Sequence, residues 1–247
     1  MKGETLVLVP GLLCDSGVWQ PQLQGLDEVA ASILIIEHGL EDSLAGMASS
    51  ALAGAPARFA LAGHSMGGRV ALEIFRQAPE RVTRLALLDT GTTPLGKDAA
   101  AAAERAGRMR LLEIARREGM RAMGRDWSRG MVHPDRLRDA KLMDAILDLI
   151  ERSSPEQFEA QIKALMNRPD ATPLLAKIHV PTLVLCGLED AVSPLDRHRE
   201  IARAIDRSVL VGIPGCGHMS TLERPHGVNG ALRAWLTGGQ QIHRVSL

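Results

Sequence analysis

At 247 residues the chain could form one large α/β domain or two small ones, and a hydrophobic share of 45% permits a sizeable core. Lys plus Arg and Asp plus Glu balance at 29 each, so no net field would draw the protein to nucleic acid or to an anionic membrane. Tyrosine is absent and only three Phe and three Trp occur, which leaves few rings on which single-stranded bases could stack.

The first residues, "MKGETLVLVPG", lack the apolar run of a signal peptide, and no stretch reaches about 18 uninterrupted apolar residues. The expectation is a cytoplasmic protein with neither a nucleic-acid nor a membrane partner. In chain order, short β-branched and Leu-rich runs predict strands at 5–9, 32–36, 59–62, 84–88, 182–186 and 208–213. Most are apolar on both sides, the pattern of a parallel sheet covered by helices on both faces. Helical patterns at 44–53, 67–77, 195–205 and 225–236 supply the covering layers.

The strand and helix rhythm breaks once. Residues 92–179 carry helical signal only, in "AAAAERAGRMRLLEIARREGMRAM", "PDRLRDAKLMDAILDLIERS" and "SPEQFEAQIKALMNR", the last opened by Ser154 and Pro155. The segment reads as a helical cap inserted into a core of residues 1–91 and 180–247. It begins and ends at neighbouring strands, so it should fold over their carboxyl ends, where open α/β sheets bind ligands. The tail after Leu236, "TGGQQIHRVSL", is polar and Gly-rich and should fray. Cys14, Cys186 and Cys216 are odd in number and form no CxxC, so the sequence indicates neither a disulfide framework nor a zinc site. No metal and no cofactor is expected: "GHSMGG" does not match GxxxxGK[ST], and no GxGxxG opens a helix.

Gly63-His64-Ser65-Met66-Gly67 falls between a predicted strand and a predicted helix. There a serine must take a strained backbone conformation that pushes its hydroxyl out beside the helix N-terminus, where N–H groups favour an anion. A serine hydroxyl needs a base to take its proton, and the base needs a carboxylate to orient it. Asp190 follows the fifth strand in "TLVLCGLEDAVSP" and His218 the sixth in "VLVGIPGCGHMSTLERP". Glu189 beside Asp190 is a lesser candidate for the acid, and Asp89 at the end of the fourth strand is the stronger rival. His64 should point away from its neighbour Ser65 as a packed support. His38, His133, His179, His198, His226 and His243 read as structural or solvated. A tetrahedral oxyanion needs two donors. The backbone N–H of Met66 is one, and Leu12 in "LVPGLLCDSGVW" is the other, with Leu13 in reserve. The apolar pocket candidates are Leu12, Leu13, Trp19, Met66, Val192 and Met219 around the three residues, with Met123, Trp127 and Met131 from the cap. Arg125 or Arg129, near Trp127, could bind a substrate carboxylate.

Ser65 in GHSMG, Asp190 in GLED and His218 in GCGH, with PGLL and the helical insert, resemble the α/β-hydrolase superfamily over nearly the whole chain. Within it the chain is similar to small bacterial carboxylesterases and lactonases. The resemblance implies an α/β-hydrolase fold with a mostly parallel six-stranded sheet of order 2-1-3-4-5-6, lacking the two leading strands common in that group. It also implies a Ser-His-Asp catalytic triad, an oxyanion hole at Leu12 and Met66, and hydrolysis of an ester, lactone or thioester of a small hydrophobic acyl substrate. Carbon–carbon bond hydrolysis, acyl transfer or ligand binding without catalysis on the same scaffold stay open. Pro10-Gly11 stands where many relatives have His-Gly, which removes a side-chain hydrogen bond that steadies the oxyanion loop.

Overall fold

A computed structural model describes residues 3–239. The expected tail lies mostly outside the described residues, as does His243. Six strands form one sheet: β1 (Thr5–Val9), β2 (Ser32–Ile35), β3 (Phe59–His64), β4 (Val82–Leu88), β5 (Thr182–Gly187) and β6 (Ser208–Ile213). Their order is β2-β1-β3-β4-β5-β6 and every pairing is parallel, the topology expected from the sequence. Every residue of β3 and β5 is buried, as two covered faces require.

The helices are α1 (Gln20–Leu26), α2 (Leu44–Gly54), α3 (Met66–Gln77), α4 (Ala99–Glu118), α5 (Met120–Trp127), α6 (Ala140–Glu151), α7 (Pro155–Met166), α8 (Thr172–Leu175), α9 (Leu195–Ala204), α10 (Ser220–Glu223) and α11 (Pro225–Thr237). Between β4 and β5 only helices and turns occur among the described residues. The single helical run read at residues 100–123 is two helices. Gly119, at φ 90°, ends α4, and its carbonyl starts α5 by accepting from Met123 N–H (3.2 Å). Ser154 caps α7 as expected, in a reciprocal box with Gln157. Asp98 and Asp139 cap α4 and α6 through Ala101 N–H (2.9 Å) and Leu142 N–H (3.1 Å). α1 carries no strong periodic signal in sequence. It forms where the chain packs against α11, with Gln22 Nε2 donating to Asn229 Oδ1 (3.0 Å). No helix of the described residues is long and apolar enough to cross a membrane.

Candidate active site

Three strand ends build the site. β3 runs directly into Ser65, which holds φ 56° and ψ −118° before α3 begins at Met66. Its backbone is pinned on both sides: Ser65 N–H donates to Leu88 O (2.9 Å), and Thr90 Oγ1 donates to Ser65 O (2.7 Å). The flanking glycines are required by contact. A Cβ on Gly67 would lie 2.1 Å from Val9 O, and one on Gly63 would lie 2.2 Å from Gly67 O. Only bare backbone lets β1, β3 and α3 approach this closely.

The structure brings Ser65, His218 and Asp190 together. The Ser65 hydroxyl is 2.7 Å from His218 Nε2, and His218 Nδ1–H donates to Asp190 Oδ2 at 2.8 Å. Asp190 Oδ1 accepts from Val192 N–H (2.8 Å) and Ser193 N–H (2.9 Å). Burial alone would raise the Asp190 carboxyl, but His218 and these two donors together hold it below the usual carboxylate range. Burial likewise opposes charge on His218, yet the facing Asp190 carboxylate outweighs it and the imidazole is raised.

Asp89 is fully buried and does not reach the His218 ring through any hydrogen bond among the described residues. Its Oδ1 accepts from Gly187 N–H (2.9 Å), the Ser220 hydroxyl donates to its Oδ2, and its nearest imidazole is that of His64, 3.6 Å away. Burial and the Asp190 charge push the Asp89 carboxyl well above its ordinary range, which favours the neutral acid. Glu189 faces elsewhere, accepting from Cys216 N–H at 2.9 Å.

Leu12 and Met66 both border the cavity at Ser65, and neither N–H donates to a partner among the described residues. Leu13 is not available as a reserve donor, because its N–H is taken by Gln161 Oε1 at 2.8 Å. The loop that carries them has its own support. His38, read as merely structural or solvated, is buried and donates from Nε2 to Pro10 O at 2.9 Å. From the loop after β2 it supplies the steadying hydrogen bond that Pro10-Gly11 lacks. His64 donates from Nε2 to His218 O (2.8 Å), so it braces the His218 backbone, and burial with the nearby His218 charge brings its pKa down to about 4. His198 is a buried brace of the same kind, accepting from Thr90 N–H at 3.0 Å.

The cavity over Ser65 has a volume of about 230 Å³. Of the apolar candidates, Leu12, Met66, Trp127, Met131 and Val192 line it. Four others do not. Trp19 is wholly buried and packs edge-on against the His64 ring (centroids 6.3 Å apart), beneath the site. Met123 is wholly buried on α5, the helix that packs against α6. Met219 is buried, with its N–H tied to Glu223 and Met131. Leu13 is turned by its positive φ toward a separate hollow shared with Gln157 and Gln161. Arg125 and Arg129 are exposed and border none of this cavity. Arginines the sequence reading passed over, Arg69, Arg108, Arg168 and Arg197, stand in the wall with Glu104. Arg69 had a legible signal: it lies four residues after Ser65, on the first turn of the helix that Ser65 precedes. A larger hollow of about 720 Å³ along β6 and α11 contains none of Ser65, Asp190 or His218. The three cysteines are free, and burial pushes the Cys14 thiol up to about 12. Among the described residues no group of three or more His, Cys, Asp or Glu could hold a metal ion.

A six-stranded parallel sheet with a serine on a strained strand-to-helix turn and its partners on later strand ends defines an α/β hydrolase. The chain belongs to the alpha/beta hydrolase family, whose model matches residues 6–231. It is 26% identical over 237 residues to the pimeloyl-[acyl-carrier protein] methyl ester esterase of Nitrosomonas europaea, covering 91% of this chain and 92% of that protein. It is 29% identical over 176 residues to the 2-hydroxy-6-oxononadienedioate/2-hydroxy-6-oxononatrienedioate hydrolase of Escherichia coli, covering 70% of this chain and 60% of that one. Among solved structures it resembles a thermophilic esterase from Thermogutta terrifontis with malate bound, at 29% identity and a TM-score of 0.83, over 96% of this chain and 90% of the other.

Proposed function

We propose that the protein is a serine hydrolase that cleaves a carboxylic ester, lactone or thioester through an acyl-enzyme. One observation carries the reading: the continuous chain of hydrogen bonds from Ser65 Oγ through His218 to Asp190, at 2.7 and 2.8 Å. His218 Nε2 takes the Ser65 proton as Oγ attacks the acyl carbonyl, while Asp190 holds the imidazole tautomer and stabilises the imidazolium. The Leu12 and Met66 N–H groups receive the oxyanion of the tetrahedral intermediate. Collapse of that intermediate breaks the bond to the leaving group, which takes the proton from His218. Water, deprotonated by the same imidazole, then releases the acid and restores Ser65. The similarity to an esterase along nearly its full length supports the choice of ester chemistry.

A short-chain aryl ester and a fluorophosphonate test the reading. The wild type should turn over the ester and gain one phosphonyl group, mapped to Ser65 by peptide mass, and Ser65→Ala should do neither. Full turnover by Ser65→Ala would refute the covalent route. The similarity to the E. coli hydrolase favours one second reading, cleavage of a carbon–carbon bond by the same residues. Turnover of a vinylogous 1,5-diketone, with no turnover of any ester, would select it.

A further inference from the structure

The wall of the cavity over Ser65 holds more positive charge than it neutralises. Glu104 engages two of the four arginines. Its carboxylate meets the Arg168 fork at 2.6 and 3.0 Å, and accepts from Arg108 Nε and Nη2 at 3.1 and 3.0 Å. Burial would raise Glu104, but Arg168 and Arg108 hold it down to about 2, so it is a committed anion. Those two arginines share one counter-charge within the fold and have their forks engaged by it.

Arg69 and Arg197 are bonded to no carboxylate among the described residues; Arg69 feels Glu104 only at a distance. Arg69 Nη1 donates to Thr93 O (3.0 Å), and Arg197 Nη1 reaches Val192 O at 3.5 Å. Each guanidinium carries five donors, so both forks keep several unused. They converge on one spot. A Cβ built on Gly91 would lie 3.1 Å from Arg69 Nη2 and 4.0 Å from Arg197 Nη1. Gly91, Thr90, Ser65 and His218 share the cavity with both. Burial, and then the like charge of Arg168 with lesser help from Arg197 and Arg108, outweigh the opposing charge of Glu104 and bring Arg69 down to about 9, which still leaves it protonated at neutral pH. The remaining acid in the wall, Asp89, favours its neutral form.

We propose that Arg69 and Arg197 form a carboxylate subsite over Gly91, and that the substrate is a small acyl compound bearing a carboxylate close to the bond Ser65 attacks. This rests on the serine hydrolase reading and names its substrate class. Two cationic forks that meet with no carboxylate bonded to either match the planar, bidentate geometry of a carboxylate. The volume of about 230 Å³ limits the partner to a few carbons, and Leu12, Met66, Trp127, Met131 and Val192 receive its methylenes. Glu104 occupies the forks of Arg108 and Arg168 and offsets only one of the four positive charges, so the wall stays cationic where Arg69 and Arg197 keep free donors.

The test separates binding from turnover. Ser65→Ala protein is titrated calorimetrically with glutarate, with its neutral isostere glutaramide and with inorganic phosphate. Glutarate should bind at least ~10-fold more tightly than either of the others. Arg69→Gln and Arg197→Gln, each added to Ser65→Ala, should weaken glutarate by ~10- to 100-fold, the loss of one charged fork. Arg125→Gln and Arg129→Gln, outside the cavity, should change nothing. In the Ser65 enzyme, the kcat/KM ratio of p-nitrophenyl hemiglutarate to p-nitrophenyl hexanoate should exceed unity and fall ~10-fold or more in Arg197→Gln. Arg197 is an exposed side chain, so that variant carries the test should Arg69→Gln fail to fold. Equal affinity for glutarate and glutaramide, tighter binding of phosphate, or arginine variants with wild-type affinity would overturn the subsite. Failure of the hydrolase reading shows separately, as turnover by Ser65→Ala.

Discussion

Glu223→Gln tests how the base is held. Glu223 is 2% exposed and sits on α10, just past the His218 loop. Its Oε1 accepts from Gly217 N–H (3.1 Å) and Met219 N–H (3.2 Å), and its Oε2 from His133 N–H (2.9 Å) and Gly217 N–H (3.2 Å). The donors flank His218 on both sides and include one from the cap. Met131 O, two residues before His133, accepts from the N–H of His218 (2.8 Å) and of Met219 (3.2 Å). One carboxylate therefore fixes the imidazole's loop to the cap. Glutamine keeps the shape but turns an amide NH2 toward one or two of these buried donors. Each buried donor that loses its acceptor costs about 1–3 kcal/mol, so unfolding free energy should fall by roughly 2–4 kcal/mol. If the loop shifts by about 1 Å, kcat should fall on the order of 100-fold. Burial opposes charge on His218 and Asp190 leads the groups that favour it, with Glu223 among the lesser ones, so the acid limb of kcat/KM should also move to lower pH. Urea unfolding with a pH–rate profile on an aryl ester reads all three. A variant that loses stability while keeping wild-type kcat and the same acid limb would show that Glu223 is only a structural tie.

Asp190→Asn should lower kcat by about 10³- to 10⁴-fold, because the imidazole loses the charge that stabilises its protonated form. Asp89→Asn should cost about 10-fold or less, since its carboxyl already favours the neutral form; equal losses would reverse the choice between the two acids. Catalysis needs His218 neutral, and its pKa is raised, so kcat/KM should fall on acidification with a midpoint above about 6.5, and a midpoint below that would contradict the His218–Asp190 pairing. Stability has a second pH signature. His64 and His198 are both brought down to about 4, chiefly by burial, so between pH 6.5 and 4 the unfolded chain binds protons that the folded one refuses. Folding stability should therefore drop as pH falls through that window, by up to roughly 3 kcal/mol for each imidazole, and urea midpoints that hold constant from pH 7 to 4.5 would count against neutral buried rings.

What the sequence disclosed follows from locality. Strand ends and helix starts are written in contiguous residues, so β1, β6 and the turn around Ser65 could be read directly, and the order of Ser65, Asp190 and His218 along the chain gave their place at strand ends. Pocket walls are not contiguous. Trp19 and Met123 are apolar residues near the right elements, but which face of an element turns inward depends on packing that no local pattern contains. The arginines were missed for the complementary reason. Arg108 in α4 and Arg197 in α9 sit among alternating acids and bases as on a solvated face, Arg168 lies just past α7, and only the pairing of Glu104 with Arg108 and Arg168 reveals which charges are held within the fold. His38 was unreadable because its partner, Pro10 O, lies on another strand end.

Backbone strain gathers at the same rim. Among the described residues the non-glycine positions with positive φ are Leu13 (60°), Ser65 (56°) and Asp89 (49°). They follow β1, β3 and β4, which are adjacent in the sheet. Each such conformation costs on the order of 1–2 kcal/mol and persists only where its surroundings hold it. All three are held: Leu13 N–H by Gln161, Ser65 N–H by Leu88 O, and Asp89 N–H by Leu185 O at 2.9 Å. The cost is offset by the buried strand ends directly behind: every residue of β3, and the last four residues of β1 and of β4, are buried. In return, the turn at Ser65 presents the hydroxyl to His218, the turn at Leu13 commits that N–H to Gln161 and leaves Leu12 free at the cavity, and the turn at Asp89 leads the chain to Gly91 beneath the two unpaired arginines. A chain relaxed at any one of these positions would keep its core and lose the convergence.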